Sequence, residues 1–257
     1  MKRVFIILLL IFAGSTIHAQ RALIDEWEAS IGYLNFQGDY GERGDFSTTL
    51  GSSGGMIGAK VYFNLLDSDQ TGCYACTHVK FNLGLNTGYS VLSFSKAYND
   101  MNYNSLSYLK IKAFNGQVYF LNLAANVEYH ITDLRNIDFF SNSIFTKLDP
   151  YLGVGFGVMF YGVDVDSSLG NYEKNPEILP DGFAGGIYSE PGITPSINIE
   201  FGMRYQITQE LQLNFNNKWM YFLSDKVDGL TPNPKIVENK YNDWLFSPSL
   251  GVVIFIW

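Results

Sequence analysis

From Ser196 to Phe222 apolar and polar residues alternate with period two. Ile197, Ile199, Phe201, Met203, Tyr205 and Ile207 take the odd positions, and Asn198, Glu200, Gly202, Arg204 and Gln206 the even ones. Only a β-strand presents such a stretch as two separate faces. After Thr208, Gln209 and Glu210 the pattern resumes, with Leu211, Leu213, Phe215, Trp219 and Tyr221 against Gln212, Asn214, Asn216 and Lys218. That predicts a hairpin. If Ile207 faces Leu211, Glu200 falls opposite Lys218 and Arg204 opposite Asn214, while Met203 meets Phe215 and Ile199 meets Trp219. An arm of about eleven residues reaches about 36 Å, which a tilt near 40° brings to about the height of an outer-membrane barrel's apolar band.

The same alternation recurs along the chain. It predicts strands from Trp27 to Tyr33, Ile57 to Asn64, Val79 to Ser90, Tyr119 to His130, Tyr151 to Phe160 and Trp244 to Trp257. With the hairpin these make eight. An even number puts both termini on the periplasmic side, and the connections after the first, third, fifth and seventh strands are long, as external loops are. The stretches up to Asn115, from Asp164 to Pro195 and from Asp225 to Asp243 read as loops. Two inner connections, Leu66 to His78 and Thr132 to Leu148, exceed a usual periplasmic turn. The fold expected is all-β, an eight-stranded antiparallel transmembrane β-barrel of the outer membrane.

A soluble barrel of lipocalin type would reverse the faces. Against it stand the few charges on the polar faces, glycines suited to a crowded lumen, and Trp219, Tyr221, Tyr205 and Tyr129 near the band edges, where aromatic girdles sit. Composition agrees, since charged residues are 16% of the chain against about 25% in ordinary soluble domains.

Lys2 and Arg3, an apolar run from Val4 to Phe12, and Ile17-His18-Ala19 before Gln20 have the form of a signal peptide cleaved after Ala19. Residues 1–19 are thus read as the export signal and 20–257 as one barrel domain in the outer membrane. Two of the 17 basic residues lie in that signal, against 25 acidic residues in the chain. No basic stripe is left to neutralise phosphates, so nucleic acid is excluded as a partner. The expected partners are outer-membrane lipid and lipopolysaccharide, with another envelope protein as a further candidate.

On this reading the lumen receives Glu28, Lys60, Lys80, Glu128, His130, Glu200, Arg204 and Lys218. An eight-stranded barrel is just wide enough for its side chains to fill, and buried charges must pair. Either they form a polar plug that holds register, or they line a narrow ion or proton path. Cys73 and Cys76 sit in the connection between the second and third strands and, in an oxidising periplasm, read as a small disulfide, with free thiols as the alternative. Haem attachment fails because Thr77 separates Cys76 from His78, and a zinc site lacks ligands. Asp164 and Asp166 offer oxygens to calcium, but without EF-hand spacing. No catalytic constellation, cofactor or metal site is read, and His130 beside Glu128 is a hydrogen-bond partner rather than a base.

Three stretches carry a resemblance: Asp39-Tyr-Gly-Glu-Arg-Gly-Asp-Phe46, Ser224-Asp-Lys-Val-Asp-Gly-Leu230 and Asn242-Asp-Trp244. Through them the chain resembles a family of small outer-membrane barrels of Flavobacteria and other Bacteroidota, and more distantly the PorG barrel component of the type IX secretion system. The resemblance implies a cysteine-bearing first inner connection, matched here only loosely; the non-enzymatic reading rests on the want of a catalytic constellation. In the first stretch Gly38, Gly41 and Gly44 would permit positive φ angles, and Asp39, Glu42, Arg43 and Asp45 would pair locally. That loop either caps the mouth rigidly or docks another envelope protein. The reading is a structural or interaction barrel, an accessory of a secretion or surface assembly such as type IX secretion. The alternative is a narrow channel or transporter for small or apolar solutes, in the manner of OmpW-like barrels.

Overall fold

A computed structural model describes residues 24–41, 45–63, 78–94, 105–132, 147–180, 186–230 and 241–256. Residues 1–19, read above as an export signal, and Glu42, Arg43, Gly44, Cys73 and Cys76 lie outside the described residues. Eight strands follow one another around a closed barrel: β1 (Ile24–Gln37), β2 (Ser53–Phe63), β3 (Val79–Ser93), β4 (Phe114–His130), β5 (Leu148–Ser167), β6 (Gly192–Gln206), β7 (Leu211–Phe222) and β8 (Trp244–Phe255). Every neighbouring pair is antiparallel, and β8 closes on β1. Closure leaves no edge strand to satisfy.

The β6–β7 hairpin has the register expected from its alternation. Glu200 pairs with Lys218, Arg204 with Asn214, Met203 with Phe215 and Ile199 with Trp219. The Ile207 amide closes the turn on the Leu211 carbonyl at 2.9 Å. Outside, the wall is oily: Ile31, Ile57, Phe156, Ile193, Ile199 and Leu250 are each more than half exposed. In water each would forgo about 1.5–3 kcal/mol of burial, so this wall suits hydrocarbon.

Several strands run longer than the alternation indicated. β4 starts at Phe114, β5 continues to Ser167 through Asp164 and Asp166, and β6 begins at Gly192. A single helical turn, α1 (Phe46–Thr49), follows β1. It lies against the outside of β1, where Asn35 donates to the Thr49 carbonyl at 2.8 Å and Gln37 to the Thr49 hydroxyl at 2.6 Å. The polar outward positions of β1 are thereby buried. The residues before β4 are not all loop either, because helix α2 (Leu106–Ala113) precedes it, capped by Ser105, whose hydroxyl accepts the Tyr108 amide.

Inside, the barrel has two levels. Near the end where β1 begins and β8 ends, the inward side chains are polar and charged. Toward the opposite mouth they become apolar: Leu34, Phe36, Met56, Met159, Met220, Phe222 and Leu245 from the strands pack with Tyr40, Leu179, Val227 and Leu230 from the loops. Loops close over this core, with Ile187 bridging Leu230 and the Tyr188 amide donating to the Gly229 carbonyl at 2.8 Å. Gly229 takes φ +87°, and a side chain there would strike Val163 and Val165.

Candidate functional site

The polar level is assembled from seven strands by the parity of their sequences. Lys60 on β2 reaches Glu128 on β4 at 2.8 Å and Glu200 on β6 at 2.6 Å. Arg204 on β6 forks between Glu26 on β1 at 2.7 Å and Glu128 at 3.0 Å. Lys218 on β7 pairs with Glu200 at 3.2 Å and donates to Asn86 at 2.9 Å, and Lys80 on β3 pairs with Glu26. Glu28 accepts from Tyr62 at 2.6 Å and from Asn214 at 3.0 Å. His130, at the end of β4, meets Asp149 through Nδ1 at 2.6 Å and faces Glu128 through Nε2 at 3.4 Å.

The structure therefore gathers all eight lumen candidates, Glu28, Lys60, Lys80, Glu128, His130, Glu200, Arg204 and Lys218, into one network. Sequence reasoning missed Glu26, Tyr62, Asp149 and Tyr151, which belong to it. Glu26 shares the parity of Glu28 and Asp149 that of Tyr151, so extending those two strands by one or two residues would have found them, whereas Tyr62 and Tyr151 already stood on the inward parity of predicted strands and were passed over because they carry no charge. Chemically, the network cross-braces opposite walls: Lys60, Glu128, Glu200 and Arg204 come from three different strands and are all nearly fully buried. Desolvated charges of this kind hold position only while every partner is present.

The second cluster sits at the mouth. Asp39, Asp225, Asp228 and Asp243 are all buried. The Asp39 amide donates to Asp228 Oδ2 at 2.6 Å, the Leu230 amide to Asp228 Oδ1 at 2.9 Å, and the Val227 amide to Asp243 Oδ2 at 3.0 Å. The Asp39 amide thus bonds across the mouth; the local pairing expected of Asp39 with Glu42 and Arg43 falls on residues outside those described. The glycines of this loop also act differently from expectation. Neither Gly38 nor Gly41 has positive φ; a side chain on Gly38 would collide with Asp228, and one on Gly41 with Thr49. They are small so that two chains can approach.

Asp45 caps α1, its Oδ1 accepting the Ser47 amide at 2.8 Å. Ser47, first through its side chain and then through this amide, holds the Asp45 carboxyl below the usual range. Tyr40, packed against the rings of Phe94 and Phe114, is pushed well above the ordinary phenol value by burial and then by Asp228 and Asp39. It stays neutral.

Asp39, Asp225 and Asp243 each offer a carboxylate oxygen, the three within 4.8 Å of one another. They are the residues that could share a hard cation among those described. Asp164 and Asp166 stand instead on the outer face of β5, opposite Gln117 and Asn115.

A closed ladder with an oily outer wall and a filled interior decides the class. The chain is a transmembrane β-barrel. No family model and no curated protein matches it. Among solved structures it is similar to Neisserial surface protein A, at 12% identity and TM-score 0.48, over 90% of this chain and 97% of the other. It is also similar to a major outer membrane protein of Thermus thermophilus, at 10% identity and TM-score 0.46, over 93% and 100%, and to OprG of Pseudomonas aeruginosa, at 12% identity and TM-score 0.39, over 90% and 97%.

Proposed function

We propose that this barrel is a non-enzymatic, non-conducting outer-membrane protein with a structural or interaction role, working through its external mouth. The observation that carries this reading is the convergence of the three resemblance-bearing stretches. Asp39 of the first, Asp225 and Asp228 of the second, and Asp243 of the third meet in one buried cluster. A stretch that only joined strands would need no such meeting point.

Two filled levels argue against conduction. An ion would cross the apolar core without polar partners and then displace charges that already satisfy one another. An envelope protein docked on the mouth, as an accessory to a secretion or surface assembly, fits a rigid cap on a sealed barrel. Lipid and lipopolysaccharide are the partners of the wall.

The test is a mild-detergent pull-down of tagged protein from native outer membrane, with planar-bilayer recording on the same preparation. Stoichiometric envelope partners and a silent bilayer are expected. Reproducible conductance without partners would replace this reading by the transporter one.

A further inference from the structure

One glycine of the outer wall has no reason in the packing. Every other glycine of the strands stands where a side chain would come within 3.3 Å of a neighbour. Gly55 on β2 points outward on the parity of Ile57, its φ is not positive, and a Cβ there would meet nothing closer than the Gly32 carbonyl oxygen at 4.0 Å. A glycine within a strand loses more backbone entropy on folding and packs against nothing. A position with this much room is therefore expected to carry a side chain, and it carries none.

Its neighbours turn the bare position into a groove. Across the ladder Gly55 stands between Tyr33 of β1 and Tyr89 of β3, and Tyr89 pairs in turn with Tyr119 of β4. These tyrosines form a girdle at the mouth end of the wall. Gly162, a bare outward position in the same row, is covered by the Tyr119 ring, whose Cζ would lie 2.2 Å from a Cβ there. Such cover by an aromatic ring is a known remedy for a glycine in a sheet. Neither Tyr33 nor Tyr89 folds over Gly55 in that way. What is left is a hollow of about 470 Å³, with Ile31, Ile57 and Thr87 on the side toward the bilayer centre. That side is apolar, because the Thr87 hydroxyl is already donated to the Phe120 carbonyl at 2.8 Å. At the rim the hydroxyls of Tyr33 and Tyr89 take no partner among the described residues.

We propose that the Gly55 groove binds one acyl chain of lipopolysaccharide, with the rim phenols donating to the oxygens where that chain joins the headgroup. The occupant is argued from place and shape. The groove is continuous with the oily wall through Ile31 and Ile57, so hydrocarbon is the chemistry beside it, and a polar solute would lose its water with no partner at the floor. The rim lies at the mouth end, which faces the outer leaflet, where lipopolysaccharide is the lipid. Tyr33 and Tyr89 stand two strand spacings apart, about 10 Å at about 4.8 Å each. A ring on either side leaves the width of one linear chain. The site rests on the outer-membrane placement alone and not on docking at the mouth.

The test uses the full protein folded in mild detergent with deep-rough lipopolysaccharide and phosphatidylethanolamine at equal concentration. Native mass spectrometry counts the lipid each barrel retains, and the gel shift of unheated protein checks folding. Wild type is expected to retain one lipopolysaccharide. Gly55→Leu fills the groove without a collision and should cut retention at least fivefold with the gel shift intact. Tyr89→Phe keeps the shape, removes one donor, and should cut retention at least twofold. No retained lipopolysaccharide in wild type overturns the proposal, as does retention that either variant leaves unchanged, or phosphatidylethanolamine retained in its place. A dimer of barrels that Gly55→Leu disperses also overturns it, since the groove would then be a contact between copies. Should Gly55→Leu fail to fold, Tyr89→Phe decides alone. Pull-down of envelope partners is unaffected by any of these results, so the mouth-docking reading stands or falls separately.

Discussion

The guanidinium carbon of Arg204 lies 4.5 Å from the centre of the Tyr62 ring, so a β6 side chain rests on one from β2 in the middle of the barrel. The same guanidinium forks to Glu26 and Glu128. Replacing it by Met leaves two buried carboxylates short of a cation, which costs about 3–5 kcal/mol. Arg204→Lys should recover little, because an ammonium neither forks nor stacks. The urea midpoint of the folded-to-unfolded gel shift measures both, and a Lys variant as stable as wild type would contradict the geometry.

Asp228 accepts from two backbone amides of different segments, Asp39 and Leu230. Asp228→Ala orphans both and is expected to destabilise the mouth by about 1–3 kcal/mol. Limited proteolysis on intact cells should then cut near residues 38–41 and 223–230 sooner, while the strands remain resistant.

Gly229 holds φ +87° against Val163 and Val165. Gly229→Ala carries about 1–2 kcal/mol of left-handed backbone strain in addition to the collision. Its carbonyl accepts the Tyr188 amide, so hydrogen exchange at Tyr188 should accelerate in the variant and leave the β4–β5 ladder amides unchanged.

Asp45 gives the mouth a pH dependence. Its folded carboxyl titrates lower than its unfolded one because the ionised form accepts from Ser47, first from the side chain and then from the amide. The cap is therefore in place above the unfolded carboxyl's value and is lost as pH falls through the lower folded value. Exchange at the Ser47 amide, corrected for its intrinsic pH dependence, should rise across that acidic window, and Asp45→Asn should abolish the rise while keeping a cap.

The strands were legible because lipid enforces alternation. Ile199, Phe201 and Met203 must face hydrocarbon, so Glu200 and Arg204 between them face inward, and turn length then sets the register. The upper level was not legible for the converse reason. Leu34, Phe36, Met220 and Phe222 stand on the inward parity yet are apolar, so on β7 both faces are oily and the period-two signal vanishes, while on β1 it inverts, with polar Asn35 and Gln37 facing outward. Val227 and Leu230 are single apolar residues in a polar loop, with no period at all. Likewise α1 covers Asn35 and Gln37, two polar residues on the outward parity whose misplacement was the one trace of it in the sequence.

The bond between the Asp39 amide and Asp228 joins positions 189 residues apart, one just after the first strand and the other in the loop between the last two. It forms only when the loop between β7 and β8 lies over the end of β1, as it does beside the closing seam. The mouth cluster is therefore a completion mark: a barrel missing its closing strand would present an open, unlatched rim, and a partner that recognises the latched rim would recognise finished barrels alone.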